Sequence, residues 1–342
     1  MNSSISVLLY FLLGLGLLIS ASALPGVASD VLKIHTLSEA SPFEDCLSFS
    51  YYQQKCPDAE AIINRKLKQW FQKDYTLAAS LIRLHFHDCS VRGCDGSVLL
   101  DHEGSERRAE ASKTLRGFDV INDIKAEIEK KCPQTVSCAD ILTAAARDAT
   151  VFVGGPYWAV SYGRKDGLVS FAKEAESVPM GDEDMTSMIE FFQSKGLNVV
   201  DLAILSGAHT IGRASCGSIQ QRVFNYSGTG KPDPSIDGKY LNFLKRKCRW
   251  ASDLVDLDAT TPTKFDAVYY ANLPKKMGLL STDAKLYSDP RTAPLVSALA
   301  YQPSLFLYQF AVSMAKLGNV QVLTGPHEGE IRTKCDFVNS HK

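Results

Sequence analysis

Several things are scarce in this 342-residue chain. No block of like charges appears: 37 Lys and Arg stand against 38 Asp and Glu, a formal net charge of −1. The basic stripe of a nucleic-acid binder and the acidic run of a solvated tail are thereby excluded. Low-complexity tracts and internal repeats are missing, which sets aside a disordered scaffold and a solenoid. Length alone suggests about two domains, yet no Gly/Ser/Pro linker splits the chain. Strand-like alternation is sparse and short, as over residues 151–162. Cysteines spaced CxxC are absent, so zinc is a poor reading, and no GxSxG marks a hydrolase nucleophile.

What is present is a core-forming composition, 45% hydrophobic and 22% charged. Residues 7–19 are uniformly apolar or glycine and are followed by Ala21-Ser22-Ala23. A bilayer-spanning helix needs roughly 20 apolar residues, so this run reads as a secretory signal, residues 1–23, lacking the usual positive start. No later segment is long and apolar enough to span a membrane. The expectation is a soluble, exported protein with a loose extension over 24–45. Nine cysteines in an exported chain suggest disulfides, the odd one leaving a residue without an internal partner. Spacing alone does not give their connectivity. Asn225-Tyr226-Ser227 is a glycosylation acceptor that fits export.

Helical periodicity dominates from there. Ile63, Leu67, Trp70 and Phe71 form one stripe; Phe118, Ile121, Ile124 and Ile128 another; Met185, Met188, Ile189 and Phe192 a third. Phe306, Phe310, Met314 and Leu317 form a late fourth, and the fold class is mostly α-helical.

Two histidine neighbourhoods carry chemistry. In Arg83-Leu84-His85-Phe86-His87-Asp88-Cys89, Arg83 and His87 are four apart and share one helical face, while His85 points elsewhere. A cation and a base on one face could bind an anion or polarise a small polar substrate; a buried charge pair fits the same residues. The following turn, Asp88-Cys89-Ser90-Val91-Arg92-Gly93-Cys94-Asp95-Gly96-Ser97, is rich in hard oxygen donors that suit calcium, or it is simply a polar turn. The second neighbourhood is Leu205-Ser206-Gly207-Ala208-His209-Thr210-Ile211-Gly212. Small residues beside His209 would allow close packing against a flat group such as a haem, and a satisfied core histidine is the plainer reading. Residues 256–266 make a second oxygen-rich turn, and Asp283 is a carboxylate available to orient a histidine.

From about residue 46 onward the chain resembles the class III secretory plant peroxidases. The resemblance rests on Tyr51-Tyr52…Cys56-Pro57, the Arg83–His87 segment, Gly93-Cys94-Asp95-Gly96-Ser97, Arg116-Gly117-Phe118 and Val136-Ser137-Cys138-Ala139-Asp140-Ile141-Leu142. Gly154-Gly155-Pro156-Tyr157-Trp158, the His209 segment and Gly329-Glu330-Ile331-Arg332…Cys335 complete the series in order. The run from Glu106 to Arg116 is similar to the family's branch named peroxidase seven.

The resemblance implies an all-α haem peroxidase domain over 46–342, with helices above and below a buried haem b, minor short β segments and two Ca2+ ions. His209 becomes the proximal haem ligand and Asp283 the acceptor of its other ring proton; His87 and Arg83 become the distal catalytic pair. Asp88, Val91, Gly93, Asp95 and Ser97 match the distal calcium site, Val91 and Gly93 through their carbonyls. Thr210, Asp258, Thr261, Lys264 and Asp266 match the proximal one, Lys264 through its carbonyl. Pro179 matches the substrate-edge proline. The family's disulfides map as Cys56–Cys132, Cys89–Cys94, Cys138–Cys335 and Cys216–Cys248, leaving Cys46 with a free thiol or an intermolecular bridge. The implied activity is reduction of hydrogen peroxide to water while small phenols are oxidised in one-electron steps, by a monomer without nucleic-acid or membrane partners. A role in cell-wall phenolic or lignin oxidation and in the response to oxidative stress follows from the same likeness. The chain ends seven residues past Cys335, which favours the apoplast over a vacuolar address. Three departures stand out: Ser112 lies where the family usually has an asparagine bonded to the distal histidine, with one residue fewer before Arg116. Ala267 replaces an asparagine, and Ser90 a phenylalanine.

Overall fold

The computed structural model describes residues 47–340. The signal segment, the extension and Cys46 lie outside the described residues. Thirteen α-helices and one two-stranded antiparallel sheet are found among those described.

The N-terminal half is built on four long helices: α1 (Ala59–Lys73), α2 (Leu77–Val91), α3 (Phe118–Lys131) and α4 (Cys138–Phe152). α4 starts where the Ser137 side chain accepts the backbone N–H of Asp140, a helix N-cap. Almost every residue of α4 is buried, and its alanines, Ala144, Ala145 and Ala149, let α2 lie close along it. α1 and α3 pack on its other sides with Ile63, Leu67, Ile121, Ile124 and Ile128 in the core. Each of those aliphatic side chains contributes about 1.5–3 kcal/mol by leaving water. The orientation of α2, which carries Arg83 and His87, is fixed by this packing.

A short helix, α5 (Ala172–Ala175), leads to α6 (Met185–Ser194) and α7 (Val199–Ser206). α7 opens with a capping box: Asn198 accepts the N–H of Asp201, and Asp201 accepts the N–H of Asn198. A 3-10 turn, Gly207–Thr210, extends α7 and carries His209. Beyond it lie β1 (Arg213–Ser215), α8 (Cys216–Phe224), α9 (Gly238–Lys247) and β2 (Leu254–Asp256). These have their own small core of Ile219, Val223, Ile236, Tyr240, Leu244 and Val255. The C-terminal helices are α10 (Val268–Asn272), α11 (Ser281–Ser288), α12 (Ala293–Tyr301) and α13 (Pro303–Gly318). Proline stands in the first turn of both α12 and α13, where its missing N–H costs nothing.

The four helical stripes read from the sequence face the core. The alternating stretch 151–162 differs from its pattern: α4 runs on to Phe152, Gly154 turns the chain at φ +88°, and only Tyr162 forms an isolated bridge, to Ser48. The sheet lies instead at Arg213–Ser215 and Leu254–Asp256, a pairing made by tertiary proximity across 38 intervening residues. Four disulfides join Cys56 to Cys132, Cys89 to Cys94, Cys138 to Cys335 and Cys216 to Cys248. The third spans 197 residues and ties the C-terminal segment to the start of α4. No single described helix is long and apolar enough to cross a membrane.

Candidate active site

α2 presents Arg83 and His87 one turn apart. His87 is 4% exposed, with Phe86 set edge-on beside it and Phe86 packed in turn near Phe192. Neither ring nitrogen of His87 has a hydrogen-bond partner among the described residues. Burial, reinforced by the Arg83 charge, pushes its pKa down from 6.5 to about 3. The imidazole is therefore neutral at ordinary pH, with a lone pair free to take a proton. Arg83 donates through Nη1 to Thr114 Oγ1 at 2.9 Å and through Nη2 to the Ala111 carbonyl at 2.9 Å. Burial lowers its pKa to about 10, still high enough to keep the guanidinium charged near neutrality.

His209 is built the opposite way. Its Nδ1 lies 2.8 Å from Asp283 Oδ1, across 74 residues of sequence. Asp283 is fully buried, and also accepts from Tyr269 Oη at 2.8 Å and from the Leu280 N–H at 2.8 Å. Burial raises the Asp283 carboxyl, but the His209 charge and these hydrogen bonds outweigh it and hold the pKa below the ordinary value. An ionised acceptor fixes the proton on His209 Nδ1 and leaves Nε2 as the free ligand atom. The His209 side chain is 32% exposed. Behind it, a Cβ on Gly207 would lie 2.3 Å from Tyr270 Oη and 2.5 Å from Phe306, so only glycine fits. A Cβ on Gly212 would lie 2.9 Å from that of Ala79, on α2.

The two oxygen-rich turns are also assembled. Asp88 Oδ2 accepts from Gly96 N at 2.9 Å, Asp95 Oδ1 from Ser97 N at 2.9 Å, and both carboxylates are buried. Desolvation, added to by neighbouring acidic charge, raises the pKa of Asp88; desolvation likewise raises that of Asp95 and lifts Glu106 to about 7. Ser97 Oγ and Glu106 Oε2 are buried without partners. Three crowded carboxyl groups and an orphaned hydroxyl are what a hard cation would satisfy. The Gly93 carbonyl accepts from Asp95 N, and that of Val91 accepts from Lys195 Nζ at 3.1 Å. In the second turn, Thr210 Oγ1 donates to the Lys264 carbonyl and to Asp266 Oδ1. Thr261 Oγ1 bridges Asp258 and Asp266.

Pro179 lies half-buried in the segment before α6; two residues on, the Gly181 carbonyl accepts the N–H of Thr282 on α11. Asn225 is exposed just beyond α8, with Oδ1 accepting from Gly230 N. The Ser112 hydroxyl is buried with no hydrogen-bond partner among the described residues, Ala267 is buried at the start of α10, and Ser90 is buried in α2. Thr114 and Ala111, which hold Arg83, escaped the reading of the sequence. So did Tyr269, the second donor to Asp283, and Glu106, buried beside Ser97 and Ser170. None of the four left a local signal: their partners Arg83, Asp283 and Ser170 lie 14 to 64 residues away in the sequence.

His85, Cys89 and Cys94 bring three metal-ligating atoms together, but both sulfurs are spent in the disulfide. Burial, with the Arg164 charge, lowers the pKa of His85 to about 3, leaving a neutral core side chain.

Known proteins are similar to this chain over most of its length. The family model for peroxidases matches residues 63–302. Peroxidase 7 of Arabidopsis thaliana is 59% identical over 301 residues, covering 87% of this chain and 86% of that protein. Peroxidase 10 and Peroxidase 28 of the same plant are 44% and 43% identical, each across at least 85% of both chains. With the match spanning both histidine neighbourhoods and every long helix from α2 to α7, the chain belongs to the peroxidase family.

Proposed function

We propose that this peroxidase reduces hydrogen peroxide with His87 as proton carrier and Arg83 as fixed positive charge, and oxidises small phenolic donors. The observation that carries this reading is the contrast in bonding between two histidines: one buried, neutral and unpartnered beside a guanidinium, the other held at Nδ1 by a buried carboxylate. Haem is the cofactor the family implies, and the residues fit it. His209 offers a free Nε2, small residues surround it, and Gly212 and Ala79 approach each other closely. When bound, haem supplies an iron that peroxide oxidises and that donors restore one electron at a time.

His87 takes a proton from the near oxygen of peroxide and returns it to the far oxygen, which then leaves as water. Positioned transfer of this kind is typically worth roughly 10²–10⁴-fold. Arg83, oriented by Thr114 and Ala111, faces the negative charge that develops as the O–O bond lengthens; a preorganised donor is worth about 3 kcal/mol. Asp283 keeps the Nδ1 proton of His209, which raises the basicity of Nε2 as a ligand. Pro179 stands at the edge where a donor would dock. Two calcium ions are held by Asp88, Gly93, Asp95 and Ser97, with Val91 after release by Lys195, and by Thr210, Asp258, Thr261, Lys264 and Asp266. Support for the first comes from its buried unpaired oxygens. The apolar run 7–19 and four disulfides support export to the cell wall.

Hemin-loaded protein should show a Soret band and peroxide-dependent oxidation of a simple phenol. His87→Leu should keep the Soret band and lose roughly 10²–10⁴-fold in the bimolecular rate with peroxide. An unchanged rate would remove His87 from its role. Chelation of calcium should lower the melting temperature, and an identical melting curve would empty both sites.

A further inference from the structure

The stretch 238–250 carries five cations, Lys239, Lys245, Arg246, Lys247 and Arg249, and no acid. The whole chain has a net charge of −1, so everything outside this stretch sums to −1 − 5 = −6. All five side chains are exposed, and none has an ion-pair or hydrogen-bond partner among the described residues. Lys239, Phe243 and Arg246 follow i, i+4, i+7 on α9 and form one outward stripe, which Arg249 and Trp250 prolong past the helix end. Phe243 is 42% exposed and Trp250 is 73% exposed.

Complementing the helix dipole accounts for part of this pattern, since Lys245, Arg246 and Lys247 sit in the last turn of α9. It does not account for Lys239 in the first turn, where a cation is disfavoured, nor for Arg249 and Trp250 beyond the end. The turn bearing Trp250 is also fastened. Cys248 is bonded to Cys216, Asp253 Oδ2 accepts the N–H groups of Arg249 and Trp250, and the Ala251 carbonyl accepts from Gly217. An exposed indole on a backbone-fastened turn, at the end of an unpaired cationic stripe, has the make-up of a binding surface.

We propose that this face docks a linear polysaccharide carrying carboxylate groups. The carboxylates meet Lys239, Arg246 and Arg249, and the apolar C–H face of a sugar ring lies on Trp250. A lipid surface fits worse, because the apolar side of α9, Tyr240 and Leu244, is committed to the small core and cannot enter a bilayer. A nucleic-acid duplex fits worse as well. It presents one charge per roughly 1.7 Å over a broad rod, against a stripe one side chain wide on an otherwise acidic protein. The choice of occupant rests on the reading of the chain as exported, while the surface itself is separate from the candidate active site.

The test is biolayer interferometry of hemin-loaded protein on immobilised polygalacturonate, with fully methyl-esterified polymer as the uncharged control. The parent should bind the charged polymer, more weakly as salt rises, and ignore the ester. Replacing three cations together (Lys239→Ser, Arg246→Ser and Arg249→Ser) should cost at least about tenfold and flatten the salt dependence. Trp250→Ala should weaken binding while keeping the salt slope. Each variant should oxidise a small phenol in solution at the parent rate, so a failure of docking is distinct from a failure of the enzymatic reading. Equal binding by the triple variant, equal binding to the ester, or equally tight binding to a DNA duplex or phosphatidylserine vesicles would overturn the proposal. Unchanged binding by Trp250→Ala would overturn the stacking contact.

Discussion

His87 and His209 are the same side chain put to opposite uses by what surrounds them. On α2, burial and a neighbouring guanidinium strip His87 of its proton, and neither nitrogen has a partner among the described residues. Beyond α7, a carboxylate fixed by two further donors, Tyr269 and the Leu280 N–H, pins the proton of His209 on one nitrogen and frees the other. A histidine that must shuttle a proton cannot be clamped, and one that must hold a metal cannot be loose. The contrast therefore assigns the proposed roles better than either residue does alone.

The widest separation is expected on deleting each ring in turn. His209→Leu should abolish stable haem uptake, read from the Soret band after gel filtration, whereas His87→Leu should retain it. Equal retention by both would erase the contrast. A smaller effect is expected at the acceptor. Asp283→Asn keeps the shape but removes the charge that makes His209 a strong donor, and should cost about 10–100-fold in haem affinity or activity. It should also raise the iron reduction potential, which a purely structural role would leave unmoved. The smallest change concerns pH. Because burial and Arg83 depress His87, the rate with peroxide should hold steady as pH falls through 6.5 and decline only towards about 3. Arg83→Ala removes the lesser of the two causes, so the acid limb should move partway up in pH. A limb fixed at 6.5 in the parent would show that His87 is not the titrating base.

Much of this was legible in the chain itself. Arg83 and His87 needed only the helical period to be placed on one face, and the four apolar stripes gave the helices and their inward sides. Asp283 could be named as an available carboxylate, but its pairing with His209 spans 74 residues and depends on how α11 meets the end of α7. Short-range pattern likewise said nothing of Thr114 and Ala111 as the holders of Arg83, because a hydroxyl and a backbone carbonyl 31 and 28 residues away leave no mark in the spacing around it. The alternation over 151–162 misled for a related reason: two-residue periodicity is local, whereas a ladder needs a partner strand, and α4 claimed the first part of the segment.

The sequence by itself determined which residues could do chemistry and which faces would turn inward, since side-chain type and helical period are local properties. Only the tertiary structure decided the protonation state of His87, the tautomer of His209 and the crowding of Asp88, Asp95 and Glu106. Those depend on burial and on charges brought near from distant segments, and desolvation and Coulomb energy are properties of position in space.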